Sequence, residues 1–150
     1  YLDFWSLNLE TFIWTPIEVK APVNSNSVIA ATSFALNGKG YILGLGYIGS
    51  SWNKITDMWE FDPSNSTWTK KADYPDLIYG EPATTINNHG LVISSAMNGI
   101  RTKVYEYDAE LDRWIMRQTL TGTTSYFQFS QNVNGSIYYA SGNMWKLNFD

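Results

Sequence analysis

The chain has 150 residues, 44% of them hydrophobic and 16% aromatic, with a formal net charge of -4 and a pI near 4.9. That composition supports one globular domain with a real core and is too apolar and too sparsely charged for a disordered segment. The cations are scattered, Lys70-Lys71 being the densest spot, which argues against nucleic-acid binding through the phosphate backbone. The lack of cysteine excludes disulfides, thiolate nucleophiles and cysteine-ligated metal centres.

No stretch approaches the roughly 20 apolar residues of a membrane-spanning helix. The opening YLDFWSLNLE has no basic region ahead of an apolar run, so it does not read as a signal peptide. The chain starts on Tyr1 rather than Met, and the expectation is a processed or excised piece of a longer chain.

Taken in chain order, residues 3–14, DFWSLNLETFIW, read as a strand, a turn and a second strand. Residues 33–46, SFALNGKGYILGLG, give an apolar run, the turn Asn37-Gly38-Lys39-Gly40 and a β-rich run. Asn and Gly tolerate the positive φ that tight hairpins demand. Residues 57–68, DMWEFDPSNSTW, then repeat the first phrase, with Asp62 as first turn residue and Pro63 presetting φ behind it.

The alternation continues to the end. ATTINNHGLVISSA (83–96) turns at Asn87-Asn88-His89-Gly90, and KVYEYDAELDRW (103–114) is the phrase a third time. SQNVNGSIYYASG (130–142) turns at Asn134-Gly135, and NMWKLNFD (143–150) opens the phrase a fourth time.

In register, the four phrases place Trp5, Trp59, Tyr105 and Trp145 at one position and Leu7, Phe61, Tyr107 and Leu147 two residues on. Asn8, Asp62, Asp108 and Asn148 follow, and Trp14, Trp68 and Trp114 close the first three. A period of about 50 residues is the scale of propeller or solenoid units. Period-two alternation puts Trp59 and Phe61 on one strand face and Met58 and Glu60 on the other, so the aromatic face is expected to be the more fully covered. Four antiparallel strands per unit follow, and no segment has a helical period. Recurrence in register assigns Trp5, Trp14, Trp59, Trp68, Trp114 and Trp145 to packing between units rather than to ligand stacking.

Gly44 and Gly46 end a second strand, an aromatic-Asp turn follows, and a Trp stands seven residues after the aromatic (Phe61 to Trp68, Tyr107 to Trp114). With these features the chain resembles kelch repeats, and residues 37–75 carry the resemblance best. It is similar in particular to the kelch units of bacterial exported proteins. Ser94-Ser95 and Ala140-Ser141-Gly142 depart from the usual double glycine, and Leu7 and Leu147 from the aromatic.

The resemblance implies an all-β fold of kelch-type β-propeller blades, each of four antiparallel strands. Residues 1–150 form a single segment, with units at about 1–20 (partial), 28–75, 80–119 and 122–150 (partial). Thirteen strands make about three to three and a half blades, fewer than the four to eight at which propellers close. The expectation is a part of a larger propeller, completed by remaining blades or by a second copy of the chain. The same resemblance implies an exported protein, periplasmic or at the cell surface.

Non-repeated insertions on a repeat scaffold tend to carry function. GYIGSSWNKITD (46–57) is the longest loop between a second and a third strand; it supplies Tyr47, Ser50, Ser51, Asn53 and Trp52, a Trp at no repeated position. The equivalent loop, MNGIRTK (97–103), adds Asn98 and Arg101. Segments leading into first strands add Asp76, Tyr79 and Glu81 in DYPDLIYGEP and Tyr126 in TGTTSYF. These are the ligand-binding candidates, weighed against plain surface loops and, for Asp76 and Glu81, against solvated loop charge rather than an acid–base pair.

No catalytic residue, metal site or cofactor is assigned. His89 is the only histidine, so neither a Ser-His-Asp site nor a multi-histidine metal centre has the residues it needs. Copper oxidases on the kelch fold use a cysteine-linked tyrosine and two histidines, which this chain lacks. The expected function is a non-catalytic binding module presenting loops to a carbohydrate or protein partner. The alternative is a sugar-acid epimerase or lyase on the same fold, and a third reading is a purely architectural segment.

Overall fold

The computed structural model describes residues 4–20, 22, 31–44, 56–76, 78, 80–95, 101–121 and 128–148. Among these the regular structure is thirteen β-strands, with no helix. They are β1 (Phe4–Leu7), β2 (Trp14–Ile17), β3 (Thr32–Leu36), β4 (Lys39–Leu43), β5 (Met58–Asp62), β6 (Thr67–Lys71), β7 (Ala83–Ile86), β8 (His89–Ser95), β9 (Arg101–Asp108), β10 (Arg113–Thr121), β11 (Phe129–Val133), β12 (Ser136–Ser141) and β13 (Asn143–Leu147). Sequential antiparallel pairing gathers them into four sheets: β1-β2, β3-β4-β5-β6, β7-β8-β9-β10 and β11-β12-β13.

The hairpins form where the sequence places residues that accept left-handed backbone. Asn37-Gly38, Asn87-Asn88 and Asn134-Gly135 all have positive φ, and the flanking pairs Leu36–Lys39, Ile86–His89 and Val133–Ser136 face each other across them. Two consecutive positive φ values define the two-residue turn whose twist matches paired strands. The turns are therefore shorter than the four-residue stretches the sequence suggests. Lys39-Gly40 and His89-Gly90 already belong to strands, so His89 opens β8 instead of lying in a turn.

The hairpins of the repeated phrase share a second device. The side-chain oxygen Oδ1 of Asn8 accepts the amides of Glu10 and Thr11, that of Asp62 accepts the amide of Ser64, and that of Asp108 accepts those of Glu110 and Leu111. Phe12, Ser66 and Asp112 then take positive φ at equivalent positions. Equal sequence position gives equal backbone, down to a phenylalanine held in left-handed conformation.

The sheets stack in chain order. β3 lies alongside β7 and β7 alongside β11, so the first strands of the last three sheets are neighbours. One apolar core fills the space between the second and third sheets, with Phe34, Leu36, Tyr41, Leu43, Met58, Tyr74, Val92, Tyr105 and Tyr107. A second, containing Ile86, Leu91, Ile93, Val104, Leu120, Ile137, Tyr139 and Leu147, lies between the third and fourth. Polar ties cross both joints: Trp114 Nε1 donates to the Ala72 carbonyl at 3.1 Å, and Asn132 Nδ2 to the Thr85 carbonyl at 2.8 Å.

Two expectations about faces change. In β5 the Met58/Glu60 face is buried while Trp59 and Phe61 are only half-buried. The reason is the neighbour: the Trp59/Phe61 face looks toward the two-stranded β1-β2 sheet, whereas Met58 and Glu60 face the four-stranded third sheet. Of the six register tryptophans, Trp68, Trp114 and Trp145 make aromatic contacts with neighbouring rings. Trp5 and Trp14 stand 51% and 60% exposed, because no described sheet covers that side of β1-β2.

A buried acid at a sheet joint needs partners. Glu60 receives hydrogen bonds from Lys39 Nζ at 2.8 Å and from the Tyr41 hydroxyl at 2.6 Å. Burial by itself raises its carboxyl, but these two bonds outweigh burial and hold it below its ordinary 4.5. Asp112 behaves alike: burial raises it, and bonds from the Tyr107 hydroxyl and the Ala72 amide bring it below 3.8. A carboxyl lowered by folding contributes stability above its unfolded value and loses it as pH falls through the folded one. The thermal midpoint is therefore expected to fall as pH drops below about 4.5. In melts from neutral to acid pH, the gap between the parent and Glu60→Gln should narrow toward low pH. A pH-independent gap would refute this role for Glu60.

Candidate functional site

Alternation of strand direction divides the connections between the two ends of the sheets. One end carries only tight turns, and the other receives the segments that follow β4, β6, β8 and β10. The described candidates, Asp76, Glu81 and Arg101, belong to that second end. Tyr47, Ser50, Ser51, Trp52, Asn53, Tyr79, Asn98 and Tyr126 lie outside the described residues. Arg101 is the first residue of β9, opposite Thr121. Asp76 and Glu81 are described, both between β6 and β7.

The backbone at this end is tied together across segments. The Gly44 amide donates to the Asp57 carbonyl at 3.1 Å, which closes the base of the 45–56 loop. Gly44 has φ 72° there, and a Cβ on it would approach Ile78 to 2.8 Å, so the position requires glycine. The Tyr74 amide donates to the Thr56 carbonyl at 2.7 Å, and the Thr32 hydroxyl donates to the Glu81 carbonyl at 2.9 Å. Loop bases from the second and third sheets are thereby held side by side.

Tyr74 lies in the segment that leaves β6 for the third sheet. Its ring is edge-on to Tyr105 at 5.2 Å and to Trp114 at 4.9 Å, and it is fully buried. Its hydroxyl lies beside Ser94 without a well-aligned hydrogen bond. Burial pushes this phenol far up, and the charges of Glu81 and Asp76 push the same way. It therefore stays protonated at neutral pH.

Asp76 Oδ2 accepts a hydrogen bond from Lys103 Nζ at 2.8 Å, and that bond holds the ammonium above its usual range. Glu81 is buried, in surroundings unlike those of Asp76. The structure thus brings both acids near Tyr74, with Glu81 buried and Asp76 only half-buried beside Lys103. Among the described residues no group of three or more His, Asp or Glu side chains is placed to hold a metal ion. No helix among them is long and apolar enough to cross a membrane.

Sequence reasoning passed over Tyr74, Ser94 and Lys103. A signal for Lys103 was present, since it stands two residues before Tyr105 and so shares its strand face. Tyr74 and Ser94 carry no such mark, because their proximity depends on how the second and third sheets stack. No family model matches the chain, and no curated protein matches it significantly.

Proposed function

We propose that the chain is a non-catalytic binding module of kelch β-propeller type, and that its loop end receives a carbohydrate. The supporting observation is the asymmetry of the two ends: tight turns at one, loop bases fastened across two sheets at the other. Four phrases in one register and adjacent first strands favour propeller-like stacking. The loops at the fastened end are rich in Tyr, Trp, Ser and Asn, which offer flat apolar rings and adaptable hydrogen bonding with little charge. The Asp76–Lys103 pair supplies a fixed charged edge to the same end.

The test is a glycan array probed with the intact chain, beside Trp52→Ala and Asp76→Asn. Binding to a defined glycan class, reduced about tenfold or more by Trp52→Ala with folding retained, is the expected result for an aromatic anchor. No glycan binding, or binding indifferent to both changes, would refute it. Turnover of a sugar acid, abolished by Asp76→Asn, would instead support the epimerase or lyase alternative.

A further inference from the structure

Among the described residues the first and last sheets each have one face that no other sheet covers, and the repeat register specifies what each face fits. At the joint between the first and second sheets, the Phe4 ring meets Trp68 edge-on at 5.0 Å and Phe61 at 6.4 Å. In the register of the phrase, Trp68 and Phe61 correspond to Trp14 and Leu7, and Phe4 corresponds to Met144. The two halves of this joint therefore recur, unpaired, at opposite ends of the chain. Trp14 is 60% exposed on the first sheet and Met144 is 67% exposed on the last.

The surroundings of each half agree. Trp5 lies exposed on the Trp14 side. On the other side Phe129 pairs with Ala140 and Ala140 with Met144, so the three share one face, with Phe129 54% exposed. Contiguous apolar faces of this kind mark association surfaces in soluble proteins. The internal joints also bury an acid at one position of the phrase, Glu60 or Glu106, each served by cations of its own sheet. At that position the end sheets carry Ser6 and Lys146. Ser6 is on the covered side of its sheet, so apposing the open faces buries no acid at this position; Lys146 can keep its ammonium at the edge.

We propose that the two open faces bind each other between copies, the β11-β12-β13 sheet of one chain covering the β1-β2 sheet of a second. The contact continues the sheet-on-sheet joints already formed inside the chain, with Met144 of one copy against Trp14 and Leu7 of the other. It is head to tail. Two copies that close on themselves satisfy all four open faces at once, which favours a discrete dimer over an open filament. This inference is independent of what the loop end binds.

Because the chain has no cysteine, single cysteines report the geometry directly. Pro16→Cys and Lys146→Cys place thiols on the edge strands of the two open faces and leave Trp14 and Met144 intact. Mixed and treated with a flexible bis-maleimide, they are expected to yield a cross-linked dimer containing one of each. Neither variant alone should cross-link with itself to a comparable extent. Light scattering of the parent should give twice the chain mass. Met144→Glu should weaken association about tenfold or more, as loss of a central anchor does, with unchanged far-UV circular dichroism. Self-cross-linking of either variant as efficient as the mixture, or a monomeric parent at high micromolar concentration, would overturn the proposal.

Discussion

Trp114→Ala is expected to destabilise the fold by about 3–5 kcal/mol, the usual cost of emptying a packed aromatic site. The indole is edge-on to Tyr74 at 4.9 Å, tilted against Tyr107 at 5.0 Å and edge-on to Phe34 at 6.4 Å. Those three rings belong to the segment after β6, to the third sheet and to the second sheet, so one side chain joins three parts of the structure. Truncation also leaves the Ala72 carbonyl without its Nε1 donor. Trp14 holds the same register position but stands on an open face, and Trp14→Ala should cost less than about 1 kcal/mol in dilute solution. Urea unfolding measures both. Equal losses would show that register position, not the covering sheet, sets the energy.

A second large effect is expected at Gly90. A Cβ there would lie 2.3 Å from Phe34 Cε2 and 2.6 Å from Cζ. The Phe34 ring cannot retreat freely, since it stacks on Tyr41 at 5.1 Å with 10° between planes. Gly90→Ala should therefore cost roughly 1–3 kcal/mol through overpacking, and larger side chains more. Gly40, at the same register position in the second sheet, meets nothing closer than the Phe61 Cβ at 4.0 Å, so Gly40→Ala should be far better tolerated. The fourth sheet carries Ile137 at this position, fully buried. In register, the preceding sheet there presents Thr84 where the second sheet has Phe34. Large against small at one joint becomes small against large at the next. Gly90→Ile should accordingly be partly rescued by Phe34→Thr in thermal melts; absence of any rescue would refute the exchange.

Much of the scaffold is readable because it follows from local chemistry. Asn37-Gly38, Asn134-Gly135 and the Asp62 and Asp108 turns announce themselves through residues that accept positive φ or bond neighbouring amides. The Glu60 environment is not readable in the same way. Its partners Lys39 and Tyr41 lie about 20 residues away across a strand pair, and their protection of a buried acid follows only from pairing and stacking. The exposure of Trp14 is equally hidden, since nothing in the phrase separates a covered unit from an end unit. At the loop end, the place ahead of a first strand singled out Asp76 and Glu81, whereas Lys103, which binds Asp76, comes from β9 and is brought there only by sheet stacking.

One division of labour underlies the proposed function: positions repeated in register hold the sheets together, and the unrepeated loops are left to the proposed binding role. Trp68 and Trp52 test it most directly, because they are the same residue type on the two sides of that division. Trp68 lies 5.0 Å from the Phe4 ring and 4.9 Å from the Phe61 ring. Urea unfolding of the two alanine variants, run in parallel with the parent chain, is the deciding measurement. The expected loss is about 3–5 kcal/mol for Trp68→Ala and under about 1 kcal/mol for Trp52→Ala. Equal losses, or a larger one at Trp52, would contradict it.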